Sequence, residues 1–283
     1  MPGKGLTMAK PLSFEAFLDA MRDEGVTVKV VGDAKHHNRA GHGAWGPVHG
    51  VMIHHTVTEG TERSVALCRT GHMTLPGPLC HGVIDKKGVV HVVGYGRANH
   101  AGSGDDDVLR AVIAEGKLPP DNEANTDGNS RFYGFECINL GDNRDPWPEA
   151  QVEAIVRASA GILRRHGWGK DGPTSVIGHS EWQPGKIDPR GPIGKKGGPA
   201  LTMDAIRKRV AERLKHPANW SPGGSTGGGT GGSTYTVRKG DTLWSIAQAK
   251  LGSGARNAEI AKLNGLKDPS AISIGQKLKI PAK

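Results

Sequence analysis

The stretch SPGGSTGGGTGGS, residues 221–233, most constrains what this 283-residue chain can fold into. Built almost wholly of Gly, Ser and Thr, it has no apolar side chain to bury and cannot join a packed core. A coil of this length and composition spans roughly 20 Å root-mean-square. The chain is therefore expected to fold as two bodies on a tether: residues 1–220, with a core at about 45–215, and a compact module of residues 234–283.

Charge is divided unevenly between them. Over residues 235–283, nine Lys or Arg stand against Asp241, Glu259 and Asp268, a net of +6 out of +9 for the whole chain. Basic surfaces attract phosphate. Here, however, Trp244 is the only aromatic after Tyr235, and no helix-turn-helix, base-stacking strand or zinc-finger spacing is present, so no nucleic-acid partner is expected. Attraction to an anionic cell envelope accounts for the same charges. No run approaches the roughly 20 apolar residues of a membrane span, and MPGKGLTMAKPLSF has no apolar segment after its lysines. The expectation is synthesis in the cytoplasm without a signal peptide, no membrane insertion, and a monomer. Cys68, Cys80 and Cys137 are too few for a disulfide framework or a zinc knuckle and read as buried thiols, with a Cys68–Cys80 bridge left open.

In the small module, YTV reads as a strand. After the turn RKGD, Asp241 or Thr242 can cap the helix TLWSIAQAKL, which Gly252 ends. A second helix, ARNAEIAKLNG, and a closing strand, KLKIP, complete a strand-helix-helix-strand order. Leu243, Ile246, Ile260 and Leu263 fall at helical spacing, which is the pattern of a core. With YTVRKGDTLWSIA, the NGL turn and IGQKLKIP in place, the module resembles a LysM domain. That resemblance implies binding of N-acetylglucosamine-containing glycan in a groove shaped by Gly240, Asp241, Thr242 and Leu243, and by Asn264, Gly265, Leu266 and Ile272.

The larger region holds the chemistry. In VMIHHTVT, residues 51–58, two histidines interrupt a run that otherwise reads as a buried strand. Adjacent strand residues point to opposite faces, so one imidazole is functional and the other packed or hydrogen-bonded; alternation alone does not choose between them. In TSVIGHSEWQPGKIDPRG, residues 174–191, a strand delivers His179 and a Pro- and Gly-punctuated loop delivers Lys186 and Asp188. A His, a carboxylate nine residues on and a His from another strand would give three zinc ligands, leaving the fourth position open as catalytic sites require, while a strand-end His beside an Asp is also often only a hydrogen-bonded pair. The irregularly spaced His36, His37, His42 and His49 read as solvent-exposed or locally bonded rings.

Taken with CHGVIDKKGVVHVV, ANHAG and YGFECIN, these motifs resemble the type-2 N-acetylmuramoyl-L-alanine amidases, which share their fold with the peptidoglycan recognition proteins. The resemblance implies a mixed central sheet flanked by helices and a Zn2+ held by His54, His179 and Asp188. The implied substrate is bacterial peptidoglycan, with a muropeptide in the cleft. Glu136 lies on a strand among apolar neighbours, where an unpaired carboxylate is costly; the resemblance makes it the general base. Lys186 is expected to stabilise the oxyanion, and His100 of ANHAG to contact substrate at the cleft rim. His81 reads as structural. Where other members carry a catalytic tyrosine, this chain has Cys80, which puts more weight on Glu136. The segments SFEAFLDAMRDEG and WPEAQVEAIVRASAGILRRHG read as amphipathic packing helices. The layout resembles a phage endolysin released through a holin. A zinc peptidase acting on the stem peptide and a non-catalytic recognition protein are the competing readings.

Overall fold

The computed structural model describes residues 9–170, 173–218, 220, 234–238, 241–251, 254–266 and 272–281. The tether at 221–233, Gly240 and Gly252 lie outside the described residues. Contacts divide the chain into two compact units, Met1–Ala218 and Asn219–Lys283.

The first unit is a mixed α/β body. Its elements in chain order are α1 (Phe14–Asp23), β1 (Val28–Val30), β2 (Val51–His55), α2 (Thr61–Thr70), the hairpin β3 (Gly71–His72) and β4 (Leu75–Pro76), β5 (Gly82–Ile84) and β6 (Val90–Val92). There follow β7 (Ser103–Gly104), α3 (Asp106–Ile113), β8 (Thr126–Asp127), β9 (Tyr133–Cys137), α4 (Glu149–His166), β10 (Val176–Gly178) and α5 (Met203–Leu214). Six strands form the central sheet in the order β1-β6-β5-β9-β2-β10. All neighbours run parallel except β5 and β6, which form an antiparallel pair.

Alternation along the strands sorts side chains into two cores. Val51 and Ile53 of β2, with Tyr133, Phe135 and Cys137 of β9, join a large cluster with Phe17 and Met21 of α1, Ile155 and Ile162 of α4 and Ile206 of α5. The opposite face carries Met52 and Ile177, packed under Val108 and Val112 of α3 with Trp182. It also carries Val83, packed with Cys68 of α2 and Cys80. The helices are capped as their sequences dictate: Ser13 accepts from Ala16 N and Thr202 from Ala205 N, while Asp105 accepts from Asp107 N and Val108 N. Gly167, at φ 72°, ends α4 in the left-handed conformation. Glu24, fully buried, ties the end of α1 to Arg164 of α4 and Arg213 of α5. A buried carboxylate needs such partners. All three thiols are buried and free, so Cys68 and Cys80 are unbridged. Among the described residues no helix is long and apolar enough to cross a membrane.

The second unit has β11 (Thr234–Thr236), α6 (Leu243–Leu251), α7 (Asn257–Leu263) and β12 (Lys277–Lys279), with β11 and β12 antiparallel. Leu243, Ile246, Ile260 and Leu278 fill its core. Thr242 caps α6 by accepting from Ser245 N. Asp241 instead closes the preceding turn, accepting from Arg238 N and Tyr235 Oη.

Candidate active site

The site lies at the C-terminal ends of β2, β9 and β10, on the face opposite α1, α4 and α5. On β2, His54 shares its face with Met52, and His55 shares the other with Ile53. The His55 ring packs on Gly141, where any Cβ would collide with it, and its Nδ1 is 3.4 Å from Arg190 N. Burial holds His55 below its ordinary pKa.

His179 leaves β10 through Gly178, whose N–H donates to Glu181 Oε2 at 3.0 Å. Arg207 grips both Glu181 oxygens, at 2.7 and 2.8 Å, which pins this turn to α5. Ser180 N donates to Asp188 O at 2.8 Å, so one backbone bond ties the two loop residues of the site together.

His54, His179 and Asp188 converge. His54 Nδ1 is 3.0 Å from His179 Nδ1 and 3.0 Å from Asp188 Oδ2, and His179 Nδ1 is 3.3 Å from the same oxygen. Burial pushes His54 down to about 4, so its ring is neutral. Burial alone would raise the Asp188 carboxyl, but the imidazoles of His179 and His54 against it hold it well below the usual carboxylate range. Two imidazole nitrogens and one carboxylate oxygen thus meet at a common centre, where with both Nδ1 atoms unprotonated they can ligate one ion. Ligands roughly 2.0–2.2 Å from a tetrahedral zinc stand about 3.3 Å apart, so spacing and donor chemistry both fit that ion. Among the described residues these three are the group able to hold a metal.

Glu136 of β9 is the register partner of His54 and emerges on the same face. Its Oε2 is enclosed with no hydrogen-bond partner among the described residues. Desolvation, reinforced by the Asp188 charge and opposed by Lys186, pushes its carboxyl up to about 8. Lys186 is exposed in the loop before Asp188.

The sequence expectation put His100 at the cleft rim; the structure buries it instead, 7% exposed, behind His54. Its Nδ1 is 3.1 Å from His54 Nε2, and its ring lies over Gly134, where a Cβ would stand 2.5 Å from Nδ1. Asn129, which sequence reasoning passed over, accepts from the backbone N–H of His100, Ala101 and Gly102 and so fixes this loop. An Asn beside the YGFECIN strand was the available signal. Gln183, also passed over, places Oε1 3.2 Å from His179 Nε2.

His81 is buried, with Nε2 on Gly96 O and Nδ1 accepting from Gly134 N. His36 is exposed beside Asp33, and His37 Nδ1 bonds Val93 O. His49 departs from the solvent-exposed reading: it is buried and stacked on Trp168. Tyr95 and Tyr133, the two tyrosines of this unit, bond around Leu12 on the helix side, away from the metal cluster.

A family model described as N-acetylmuramoyl-L-alanine amidase matches residues 44–191, just over half the chain and all three converging residues. The chain belongs to the N-acetylmuramoyl-L-alanine amidase family. A LysM domain model matches residues 235–281. The amidase-family region is similar to N-acetylmuramoyl-L-alanine amidase XlyB of Bacillus subtilis (strain 168), 28% identical over 157 residues that make up 56% of this chain and 44% of XlyB. This amidase-family chain thus spans less than half the length of that relative. The uncharacterized lipoprotein YgeR of Escherichia coli (strain K12) is 46% identical over 48 residues, 17% of this chain and 18% of that protein. Among solved structures, AmpDh3 from Pseudomonas aeruginosa, in complex with anhydromuramic pentapeptide, matches at TM-score 0.39 and 20% identity, covering 57% of this chain and 59% of that one. The amidase LysC from Clostridium intestinale URNW matches at TM-score 0.39 and 13% identity, covering 65% of this chain and 97% of that one.

In the LysM unit, Leu243 is a core residue. Asn264 clamps β12, donating to Lys279 O and accepting from Lys279 N. Leu266 and Ile272 pack partly buried against the core, and Gly265 turns at φ 64°. Asp241 and Thr242 are spent on the turn and the cap described above.

Proposed function

We propose that this chain is a zinc-dependent peptidoglycan amidase that hydrolyses the bond between the lactyl group of N-acetylmuramic acid and L-alanine. The observation that carries the reading is the convergence of His54, His179 and Asp188 with Glu136 beside them in register. Zinc held by those three residues would supply Lewis acidity toward the attacking water and the scissile carbonyl.

The chain's own residues account for the proton transfers. Glu136 accepts a proton from the attacking water and delivers it to the departing nitrogen of L-alanine, leaving a lactyl carboxylate and a free amine. Lys186 supplies positive charge beside the developing oxyanion. The second unit anchors the enzyme on N-acetylglucosamine-containing glycan of the wall. The protein acts as a monomer, is made in the cytoplasm and reaches the wall in the manner of a phage endolysin released through a holin.

Mass spectrometry of digested peptidoglycan tests this reading. Free stem peptides beginning with L-alanine are expected. Cleavage inside the stem peptide would make the chain a peptidase, and binding without any cleavage would make it a recognition protein.

A further inference from the structure

The three converging atoms of the metal cluster set a condition on protonation. His54 Nδ1 faces His179 Nδ1 and Asp188 Oδ2 at 3.0 Å each. It can offer a lone pair there only if the ring carries its proton on Nε2. Asp188 Oδ2, 3.0 Å from Nδ1, favours the opposite tautomer, so a partner on the far side of the ring that accepts the Nε2 proton is what fixes the ligating form.

His100 is that partner, and the direction of each bond follows by elimination. His100 Nε2 lies 3.2 Å from Phe132 O. A backbone carbonyl only accepts, so Nε2 of His100 donates. In the neutral ring, Nδ1 of His100 is then an acceptor. That nitrogen lies 3.1 Å from Nε2 of His54, which must therefore donate. The proton on His54 is fixed at Nε2, and Nδ1 is left bare toward the cluster. His179 is held the same way, its Nε2 lying 3.2 Å from the acceptor Oε1 of Gln183.

We infer that His100 is a positioning residue of the metal site, relaying the polarity of the Phe132 carbonyl through two rings so that His54 presents Nδ1 as a ligand. The surroundings are built for this. Asn129 Oδ1 collects the N–H groups of His100, Ala101 and Gly102 at 2.9, 2.8 and 3.2 Å and fixes the backbone that carries the ring. Gly134, two residues before Glu136, leaves the space in which the His100 ring lies. His100 is buried behind His54, in contrast to the rim position that the family resemblance implied.

The inference rests on His54, His179 and Asp188 being metal ligands, but its first test needs no metal. Long-range 1H–15N NMR of the histidine-labelled, metal-free full chain at pH 7.5 reports each ring's tautomer. His54 is expected as the Nε2–H form in the parent and as a mixture in His100→Ala. An Nδ1–H His54 in the parent, or an unchanged His54 in His100→Ala, would overturn the inference. The second test is zinc affinity by competition with a chromophoric chelator. His100→Ala should weaken binding about 10- to 100-fold, the range for groups that orient a metal ligand. His100→Gln, whose amide can accept from His54 and donate to Phe132 O, should restore it to within a few-fold. Equal losses in both variants would leave His100 a packing residue and sink the relay. A parent chain that shows the Nε2–H tautomer yet binds no zinc would instead remove the ligand reading and leave the relay standing.

Discussion

His54 and Glu136 are register partners on the parallel strands β2 and β9, so the sheet itself delivers an imidazole of the candidate metal cluster and a carboxylate whose Oε2 has no hydrogen-bond partner among the described residues to the same face. No loop has to close to bring them together. The remaining members of the cluster, His179 and Asp188, come from one loop stapled by the Ser180 N to Asp188 O bond.

The first expectation separates the two adjacent histidines. His54→Ala should lose stoichiometric zinc and all amidase activity, whereas His55→Ala, whose ring packs on Gly141 on the helix side, should keep its zinc. Chelation should abolish activity in the parent, and added zinc should restore it. Elemental analysis of the purified variants decides the point: full zinc in His54→Ala, or its loss in His55→Ala, would reverse the assignment.

Glu136→Gln separates proton transfer from metal binding. The amide keeps the shape and removes the base, so zinc content and substrate affinity should stay near the parent's while kcat falls about 10²- to 10⁴-fold, the usual worth of general acid-base assistance. Steady-state kinetics on a soluble muropeptide give kcat and KM separately. Turnover near the parent's would make Glu136 a structural residue.

Parts of this site are legible in the sequence, and the reasons are physical. VMIHHTVT shows that one histidine of the pair must face away from the other, because strand side chains alternate. It does not show which one, since Met52 and Ile53 are both apolar and both fully buried, one in each core. Glu136 stands out because a carboxylate among Phe, Cys and Ile is costly unless it has a task. The position of His100 is not legible. It depends on the space over Gly134 and on a carbonyl of Phe132, contacts between segments about 30 residues apart that no periodicity encodes. The same holds for His49, whose burial comes from Trp168 beyond the end of α4.

That second buried histidine gives the fold an acid limit. His49 and His166 stack on Trp168 with ring centroids 4.3 and 3.9 Å away, and His166 Nε2 bonds Tyr133 Oη at 3.0 Å. Desolvation pushes both rings down from 6.5 to about 4. The unfolded chain protonates these rings near pH 6.5 and the folded chain only near 4, so unfolding takes up protons between those values. Their contribution to stability is full above about pH 6.5 and is lost as pH falls toward about 4. Urea denaturation of the parent and of His49→Gln at pH 7.5 and 5 should show the parent losing about 1–3 kcal/mol more than the variant. The other buried histidines, common to both proteins, cancel in that difference, apart from the part of the His166 shift that the His49 charge causes. Equal losses would mean that His49 is already protonated, or already hydrated, in the folded state.

The last expectation concerns the second unit. Its core of Val237, Leu243, Ile246, Ile260 and Leu278 is separate from the cores of the first. A chain truncated after Trp220 should therefore fold and hydrolyse small soluble muropeptides about as well as the full chain. On intact cell walls it should be slower, because a tethered binding unit raises the local concentration of enzyme at a polymeric substrate. With a net of +6 over residues 235–283, part of that advantage is electrostatic. This part should shrink as salt shortens the Debye length from roughly 10 Å at 0.1 M to about 3 Å at 1 M, while recognition of glycan should persist. Wall pull-down and turbidity assays on both chains across a salt series resolve the two contributions. Equal wall binding with and without residues 235–283 would remove the anchoring role, and binding lost entirely at 1 M salt would reduce the unit to a patch of positive charge.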